Sequence, residues 1–298
     1  MRILGVVTIA IALTGPAFAG EGVLEINQTC ATATGCFAGD TAGFPVTIAT
    51  LGSYRLTGNL VLPNETTSGI LVTASDVRID LGGFTIRGPN QCSAPPAGCT
   101  LSGVGFGIHA QADRLSVADG KIVGMGSVGI YGETGDGHEI RNLTVAHNRF
   151  QGIRIDGAAA TVEDVKALRN GAEGISVGLI ARVARSTAFQ NGGNGISESG
   201  GSTVSDVTAS ENGDAGIFAG SGSTLSGNTA KDNAGVGIRA SVGSAIQRNT
   251  LQHNLIGLSL QNLSTYRENT MTLNTVQQVY GQGVNTGDNS CNGLSCPF

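Results

Sequence analysis

A polar turn containing Asn, then Gly, then a branched aliphatic residue recurs along this chain every 20 to 23 residues. The Gly-Ile step falls at Gly107-Ile108, Gly129-Ile130, Gly152-Ile153, Gly174-Ile175, Gly195-Ile196, Gly216-Ile217 and Gly237-Ile238, and Gly257-Leu258 closes the series. A unit this short cannot bury a core of its own, so it must stack on its neighbours. One elongated repeat domain follows, in place of the two globular ones that 298 residues would otherwise allow.

Within one unit the alternation decides the strand content. Ile153 and Ile155 alternate with Arg154 and Asp156, the period of a strand with one buried face. Residues 157–160 turn the chain, Val162 opens a second short strand, and Val165 and Ala167 continue in a third after a bend near Asp164. Arg169-Asn170-Gly171 turns back to Gly174. Val162, Val183, Val204, Leu225 and Ile246 are spaced 21 apart and Tyr266 follows 20 later, so the rungs align without gaps. The reading is an all-β, single-stranded parallel β-helix of about nine rungs with capped ends. A leucine-rich repeat is excluded by the missing Leu-x-x-Leu-x-Leu pattern, and a transmembrane barrel by the absence of Trp and 4% aromatic content.

The turn asparagines Asn148, Asn170, Asn191, Asn212 and Asn233 each precede a rung glycine by four residues. In a register-locked stack their amides superpose and form a ladder. The accompanying glycine is expected to supply left-handed backbone angles and close approach between rungs.

The ends carry other signals. Arg2, an apolar run over residues 3–13 and Ala17-Phe18-Ala19 read as an export signal, residues 1–19, too short to span a bilayer. Residues 20–63 are expected to form N-terminal cap strands, residues 64–275 the solenoid, and residues 276–298 a C-terminal cap pinned by a disulfide loop. The six cysteines fall in three close pairs, Cys30/Cys36, Cys92/Cys99 and Cys291/Cys296, which with an export signal read as local disulfides. A formal charge of −5 without basic runs argues against a nucleic-acid partner. No later segment is long and apolar enough for a stable membrane span. A secreted or periplasmic monomer is the expectation.

The repeated unit, as in Asn170-Gly171-Ala172-Glu173-Gly174-Ile175, resembles the right-handed parallel β-helix repeat family, the solenoid of pectate lyases and alginate epimerases. The resemblance covers residues 69–280, and residues 79–86 (Ile-Asp-Leu-Gly-Gly-Phe-Thr-Ile) are similar to an early rung of these solenoids. It implies right-handed winding and action on carbohydrate. The sequence departs from the family's catalytic patterns. It lacks the Asp-Pro-His-Asp motif of alginate epimerases and the Asn-Thr-Asp, Asp-Asp and His-Gly elements of polygalacturonases, and it has no clear calcium-binding Asp cluster.

Site candidates come from the outward positions of the first strand. Two residues after the rung glycine they read His109, Tyr131, Arg154, Ser176, Ser197, Phe218, Arg239 and Ser259. Four after it they read Gln111, Glu133, Asp156, Gly178, Ser199, Gly220, Ser241 and Gln261. Chemistry-bearing side chains crowd the first three rungs, and Ser and Gly dominate later. The candidate catalytic residues are His109, Tyr131, Glu133, Arg154 and Asp156. The candidate substrate-binding residues are Gln111, Phe106 and His138. His138 is expected to lean over the face beside a wall made by residues 89–103 with their Cys92/Cys99 pair. Glu133 and Asp156, about 5 Å apart across adjacent strands, are expected to split their pKa values into an acid and a base. His109 or Tyr131 would move protons while Arg154 neutralises a sugar carboxylate. No cofactor is called for, and no pair of histidines at metal-binding spacing supports a metal site. Two functions compete. One is binding or processing of an acidic polysaccharide or cell-surface glycan, as a lyase or epimerase and less readily a hydrolase. The other is a non-catalytic envelope or extracellular adhesion solenoid.

Overall fold

The computed structural model describes residues 22–94 and 98–296. The expected export signal lies outside the described residues. The chain winds through parallel strands in two sheets. Eleven first strands, one per rung from Val46–Ile48 to Gln277–Gly281, form a face sheet. The second and third strands of the rungs, with the terminal strands Leu24–Ile26 and Leu294–Ser295, form a 22-stranded back sheet. Its two halves are joined by the long strands Ser116–Val123 and Glu139–Ala146, which cross the bend without a break.

The sequence periodicity translates into register. Ile108, Ile130, Ile153, Ile175, Ile196, Ile217 and Ile238 pair successively, and each is 0% exposed. The column from Val162 to Tyr266 pairs in the same way on the back sheet. Burial of each such aliphatic side chain is worth about 1.5–3 kcal/mol. The stacked columns, each too small to stand alone, therefore sum to one continuous core.

The stack is longer than the nine rungs expected from the repeat. Val46–Ile48 pairs with Ile70–Val72, and Gly52–Leu56 with Val77–Asp80, so a rung lies inside residues 20–63. At the other end Gln277–Gly281 and Val284–Gly287 still pair in parallel, and only Leu294–Ser295 folds back antiparallel on Ser290–Cys291. These terminal rungs lack the Asn-Gly-x-x-Gly-Ile unit, which hides them from a repeat count. A short π-helical turn, Cys30–Thr34, places Ala31 over the first end of the core. There Asp40 accepts from the backbone N–H of Thr47 and Cys36, satisfying donors of the edge.

The cysteines pair as their spacing predicts: Cys30 is bonded to Cys36, Cys92 to Cys99 and Cys291 to Cys296. None of the six lies in a face strand, so they brace the solenoid and take no part in the candidate site. Cys291 pairs with Met271 of the preceding rung, and its disulfide draws the fold-back strand against that last rung. Cys296 is buried there, and its N–H donates to the Asn289 carbonyl at 3.2 Å.

The asparagine ladder runs as expected and further. From Asn148 through Asn170, Asn191, Asn212, Asn233 and Asn254 to Asn274, each Nδ2 donates to the next Oδ1 at 2.9–3.1 Å. A second ladder, Asn228–Asn249–Asn269–Asn289, holds the bend between second and third strands at 3.0 Å per step. Its 20–21 residue spacing is as regular in the sequence as that of the first ladder, but no rung glycine follows to mark it.

The expected role of glycine in left-handed geometry is corrected. Rung glycines such as Gly174 and Gly195 do not adopt positive φ. The left-handed positions are Arg169 (φ 51°), Gln190 (55°), Glu211 (54°) and Asp232 (55°), each just before a ladder asparagine. Their strain is offset by hydrogen bonds to the following rung, such as Arg169 N–H to the Phe189 carbonyl at 2.9 Å. Close approach is what demands the rung glycine: a Cβ on Gly174 would lie 2.6 Å from the Gly195 carbonyl oxygen and 2.8 Å from Asn191 Nδ2.

Candidate functional site on the early rungs

Register brings the predicted residues together. Leu71, His109, Tyr131 and Arg154 pair in sequence across four face strands, followed by Ser176 and Ser197. Because alternate residues of a strand point to one face, all these side chains share the outer surface. The three strands carrying His109, Tyr131 and Arg154 are short, Ile108–Ala110, Ile130–Gly132 and Ile153–Ile155. Gln111, Glu133 and Asp156 therefore sit just where each strand enters its turn.

The side chains form one connected network. His109 Nε2 lies 2.8 Å from Glu133 Oε2, and Gln111 Nε2 donates to the same oxygen at 3.1 Å. Arg154 grips Asp156 with both arms, Nε to Oδ1 at 2.8 Å and Nη2 to Oδ2 at 2.9 Å. The Tyr131 hydroxyl donates to Asp156 Oδ2 at 3.1 Å. Ring contacts tie the two halves: His109 and Tyr131 stack at 5.3 Å with planes 10° apart. Phe106 packs on both rings, 4.7 Å from His109 and 5.3 Å from Tyr131. The Arg154 guanidinium lies 5.1 Å from the Tyr131 ring centre.

Electrostatics follow from these contacts. Hydrogen bonds from Gln111 and then His109 hold the Glu133 carboxyl below the ordinary glutamate range. Partial burial, reinforced by the nearby Asp156 charge, pushes the Tyr131 phenol up, so it keeps its proton. Hydrogen bonding to Asp156 raises Arg154 further and leaves it a permanent cation. Glu133 is therefore not the raised carboxyl that its pairing with Asp156 was expected to give. Its donors outweigh the repulsion from Asp156.

His138 is a second correction. It is 0% exposed and does not lean over the face. The Leu115 backbone N–H donates to its Nδ1 at 3.2 Å, and its Nε2 lies 3.1 Å from the Thr134 carbonyl. The ring fills the space beneath Gly132, whose added Cβ would lie 3.2 Å from it. It supports the strand that carries Tyr131 and Glu133, and is no substrate contact.

The 89–103 insertion is a third correction: its described residues are anchored away from the face and do not wall it. It rests along the asparagine-turn edge, where His147 Nδ1 lies 2.9 Å from the Cys92 carbonyl oxygen and Arg149 donates to the Gly103 carbonyl at 3.2 Å. Cys99 packs so close to that edge that a Cβ on Gly171 would lie 2.8 Å from its Sγ. The buried Asn90 side chain organises the base of the insertion by accepting from Leu101 N–H at 3.0 Å and donating to the Met125 carbonyl at 3.2 Å. The physical reason is that the insertion leaves the rung from the third strand, on the side of the asparagine turns, and its anchors lie there.

Sequence reasoning missed one feature. A cleft of about 350 Å³ opens beside His109, floored by Leu71 and walled by Phe44, Pro45 and Thr66 to Ser68. An outward leucine between two core residues, in Ile70-Leu71-Val72, was the available signal. No cluster of three or more metal-ligating side chains occurs among the described residues. No helix among them is long and apolar enough to cross a membrane.

The family model described as "Right handed beta helix region" matches residues 104–256 and 151–295. The chain belongs to this right-handed β-helix family. Among solved structures it is similar to the A-module of the Azotobacter vinelandii mannuronan C-5 epimerase AlgE4, at 14% identity and TM-score 0.56 over 90% of this chain and 91% of that one. It is similar to the Dettilon tailspike protein at 13% identity and TM-score 0.58, over 79% of this chain and 59% of that one. It also resembles the periplasmic alginate epimerase AlgG at 13% identity and TM-score 0.54, over 82% and 70% of the two chains. Identities this low establish the shared fold alone. No curated protein sequence matches the chain significantly.

Proposed function

We propose that this is an exported β-helix protein that binds or processes a polysaccharide across the face bearing His109, Tyr131, Glu133, Arg154 and Asp156. One observation carries the reading. Five ionisable or proton-bearing side chains gather on three consecutive rungs as two hydrogen-bonded groups, His109 with Glu133 and Tyr131 with Asp156 and Arg154, joined by the stacked His109 and Tyr131 rings, where the following two rungs carry only Ser176 and Ser197 in the same column. The architecture is shared with two alginate epimerases and a tailspike, which supports a glycan as the partner.

The electrostatics favour proton transfer over hydrolysis. A retaining glycosidase needs one carboxyl protonated at neutral pH. Glu133 is held as a carboxylate by Gln111 and His109, and Asp156 is clasped by Arg154. His109, oriented by Glu133, suits abstraction of a proton beside a sugar carboxyl, and Tyr131, which retains its proton, suits donation. Arg154 would have to loosen from Asp156 to neutralise a uronate. Elimination or epimerisation is therefore ranked above hydrolysis.

A panel of uronate-containing and neutral polymers tests this, comparing the wild type with His109→Ala, Tyr131→Phe and Arg154→Ala. Unsaturated or epimerised product from the wild type, lost in His109→Ala, is the expected result. Binding without turnover, weakened by Arg154→Ala, would leave the adhesion reading. That alternative draws support from how fully the charges on this face are spent on one another. The absence of both binding and turnover on every polymer tested removes the proposal.

A further inference from the structure

We propose that the cleft beside His109 is a subsite for one neutral sugar residue, selected against a uronate by hydroxyls whose protons are already committed. The inference rests on the polysaccharide reading above and narrows its substrate class.

The selecting groups are Thr66 and Thr67. Asn64 Oδ1 accepts four hydrogen bonds: from the backbone N–H of Thr66 and Thr67 at 3.0 Å each, and from their hydroxyls at 2.8 Å each. Two backbone donors on one atom fix which end of the Asn64 amide is oxygen. Each threonine hydroxyl must then spend its proton on Asn64, and it offers the cleft only oxygen lone pairs. Ser68 differs. Its Oγ accepts from the Phe106 N–H at 3.1 Å and keeps its own proton to give.

Besides the His109 imidazole, whose Nε2 is engaged by Glu133 at 2.8 Å, the lining presents two threonine acceptors and the Ser68 donor, with no Lys, Arg, Asp or Glu among its residues. A sugar hydroxyl both donates and accepts, so it satisfies the threonines and Ser68 together. A carboxylate only accepts, and against the threonine lone pairs it would leave water without replacement partners. The apolar floor of Leu71 and the Phe44–Pro45 wall suit the C–H face of a pyranose ring. At about 350 Å³ the cleft has the size of one sugar-ring site, at the lower end of the usual range of roughly 300–1,000 Å³ for small-molecule pockets.

Register fixes its place in the bound chain. Leu71 pairs with His109, so the cleft lies one rung before the proton-transfer network. A polymer laid along the column would put a neutral residue over Leu71 and the reacting residue over His109 and Tyr131. The substrate is then a neutral glycan or a heteropolymer in which a neutral sugar flanks the reacting one.

Calorimetric titration with neutral gluco-, manno- and galacto-oligosaccharides and with oligouronates of matched length tests the assignment. The proteins are the wild type, Leu71→Arg, Thr67→Val and Arg154→Ala, each with its melting temperature measured. At least one neutral oligosaccharide should bind tighter than every oligouronate by about tenfold or more, as expected for a site matched to hydroxyls. Leu71→Arg, at a half-exposed outward position, should abolish that binding while melting like the wild type. Thr67→Val, close to isosteric, should weaken it several-fold even if Leu71→Arg misfolds. Equal or tighter oligouronate binding overturns the assignment, as does neutral binding that ignores both Leu71→Arg and Thr67→Val. If only Arg154→Ala lowers affinity, the cleft assignment falls and the face remains the binding surface. If nothing binds, both fall.

Discussion

Asn191 stands in the middle of the first ladder and is 0% exposed. Its Oδ1 accepts from the Asn170 backbone N–H at 3.0 Å and from Asn170 Nδ2 at 2.9 Å. Its Nδ2 donates to the Ala167 carbonyl and to Asn212 Oδ1, both at 3.0 Å. Asn191→Ala removes all four. At about 1 kcal/mol net for each bond the loss is about 4 kcal/mol. The Asn170 N–H, whose acceptor is this side chain, has no replacement in the buried turn. With an m-value of about 3 kcal/mol/M, the urea midpoint should fall by about 1.3 M. Asn191→Asp should be at least as damaging, because a carboxylate oxygen would face the Ala167 carbonyl and Asn212 Oδ1 where an amide donated. Equilibrium urea unfolding followed by far-ultraviolet circular dichroism measures both. An exposed polar stripe would tolerate aspartate. A midpoint shift below about 0.3 M for either variant would refute the ladder as the element that holds this turn.

Three further outcomes follow from other sites. Glu198 points into the core between Val177 and Ala219, is 1% exposed, and has no partner for either carboxyl oxygen. Glu198→Val should stabilise by about 1–3 kcal/mol in the same urea assay, and a loss of stability would count against the buried placement. Gly174→Ala should lower the melting temperature through overpacking of about 1–3 kcal/mol, since the new Cβ meets the Gly195 carbonyl at 2.6 Å. A wild-type melt would mean the rungs can separate to admit a methyl group. Glu133 titrates below its unfolded value, so the stability it contributes is full above about pH 4.3 and is lost as pH falls through its folded pKa. Carboxyl carbon shifts in an NMR titration should show the depressed midpoint, returning toward normal in Gln111→Ala, and an unmoved midpoint would discount the Gln111 bond.

The fold was legible because its causes are local and repeated. Ile153 and Ile155 declare a buried face, and the 21-residue spacing from Val162 to Ile246 declares register. Those two facts alone bring His109, Tyr131 and Arg154 into one column. The disulfides were legible too, because partners five to seven residues apart leave little choice, as with Cys291 and Cys296. What the sequence hid depends on side chains that break the pattern. His138 looks like any polar turn residue, and only the space beneath Gly132 draws it inside. The bond from Cys92 to Cys99 says that a loop is closed and nothing about which edge of the rung it lies on. The cleft beside Leu71 depends on residues 44–45 and 66–68, which lie in irregular segments whose paths no period specifies. The pKa arrangement was misjudged for a similar reason. Proximity of Glu133 and Asp156 follows from register, but the donors that hold Glu133 ionised depend on rotamers.

The ladder asparagines measure height in storeys and are indifferent to floor area. Steps of 22, 21 and 20 residues along Asn148, Asn170, Asn191 and onward to Asn254 and Asn274 give nearly the same donor–acceptor distance. Chain gained or lost between two asparagines must therefore bulge sideways and cannot displace the storeys above. A solenoid governed in this way can lengthen a loop at its margin and leave the alignment of distant side chains untouched.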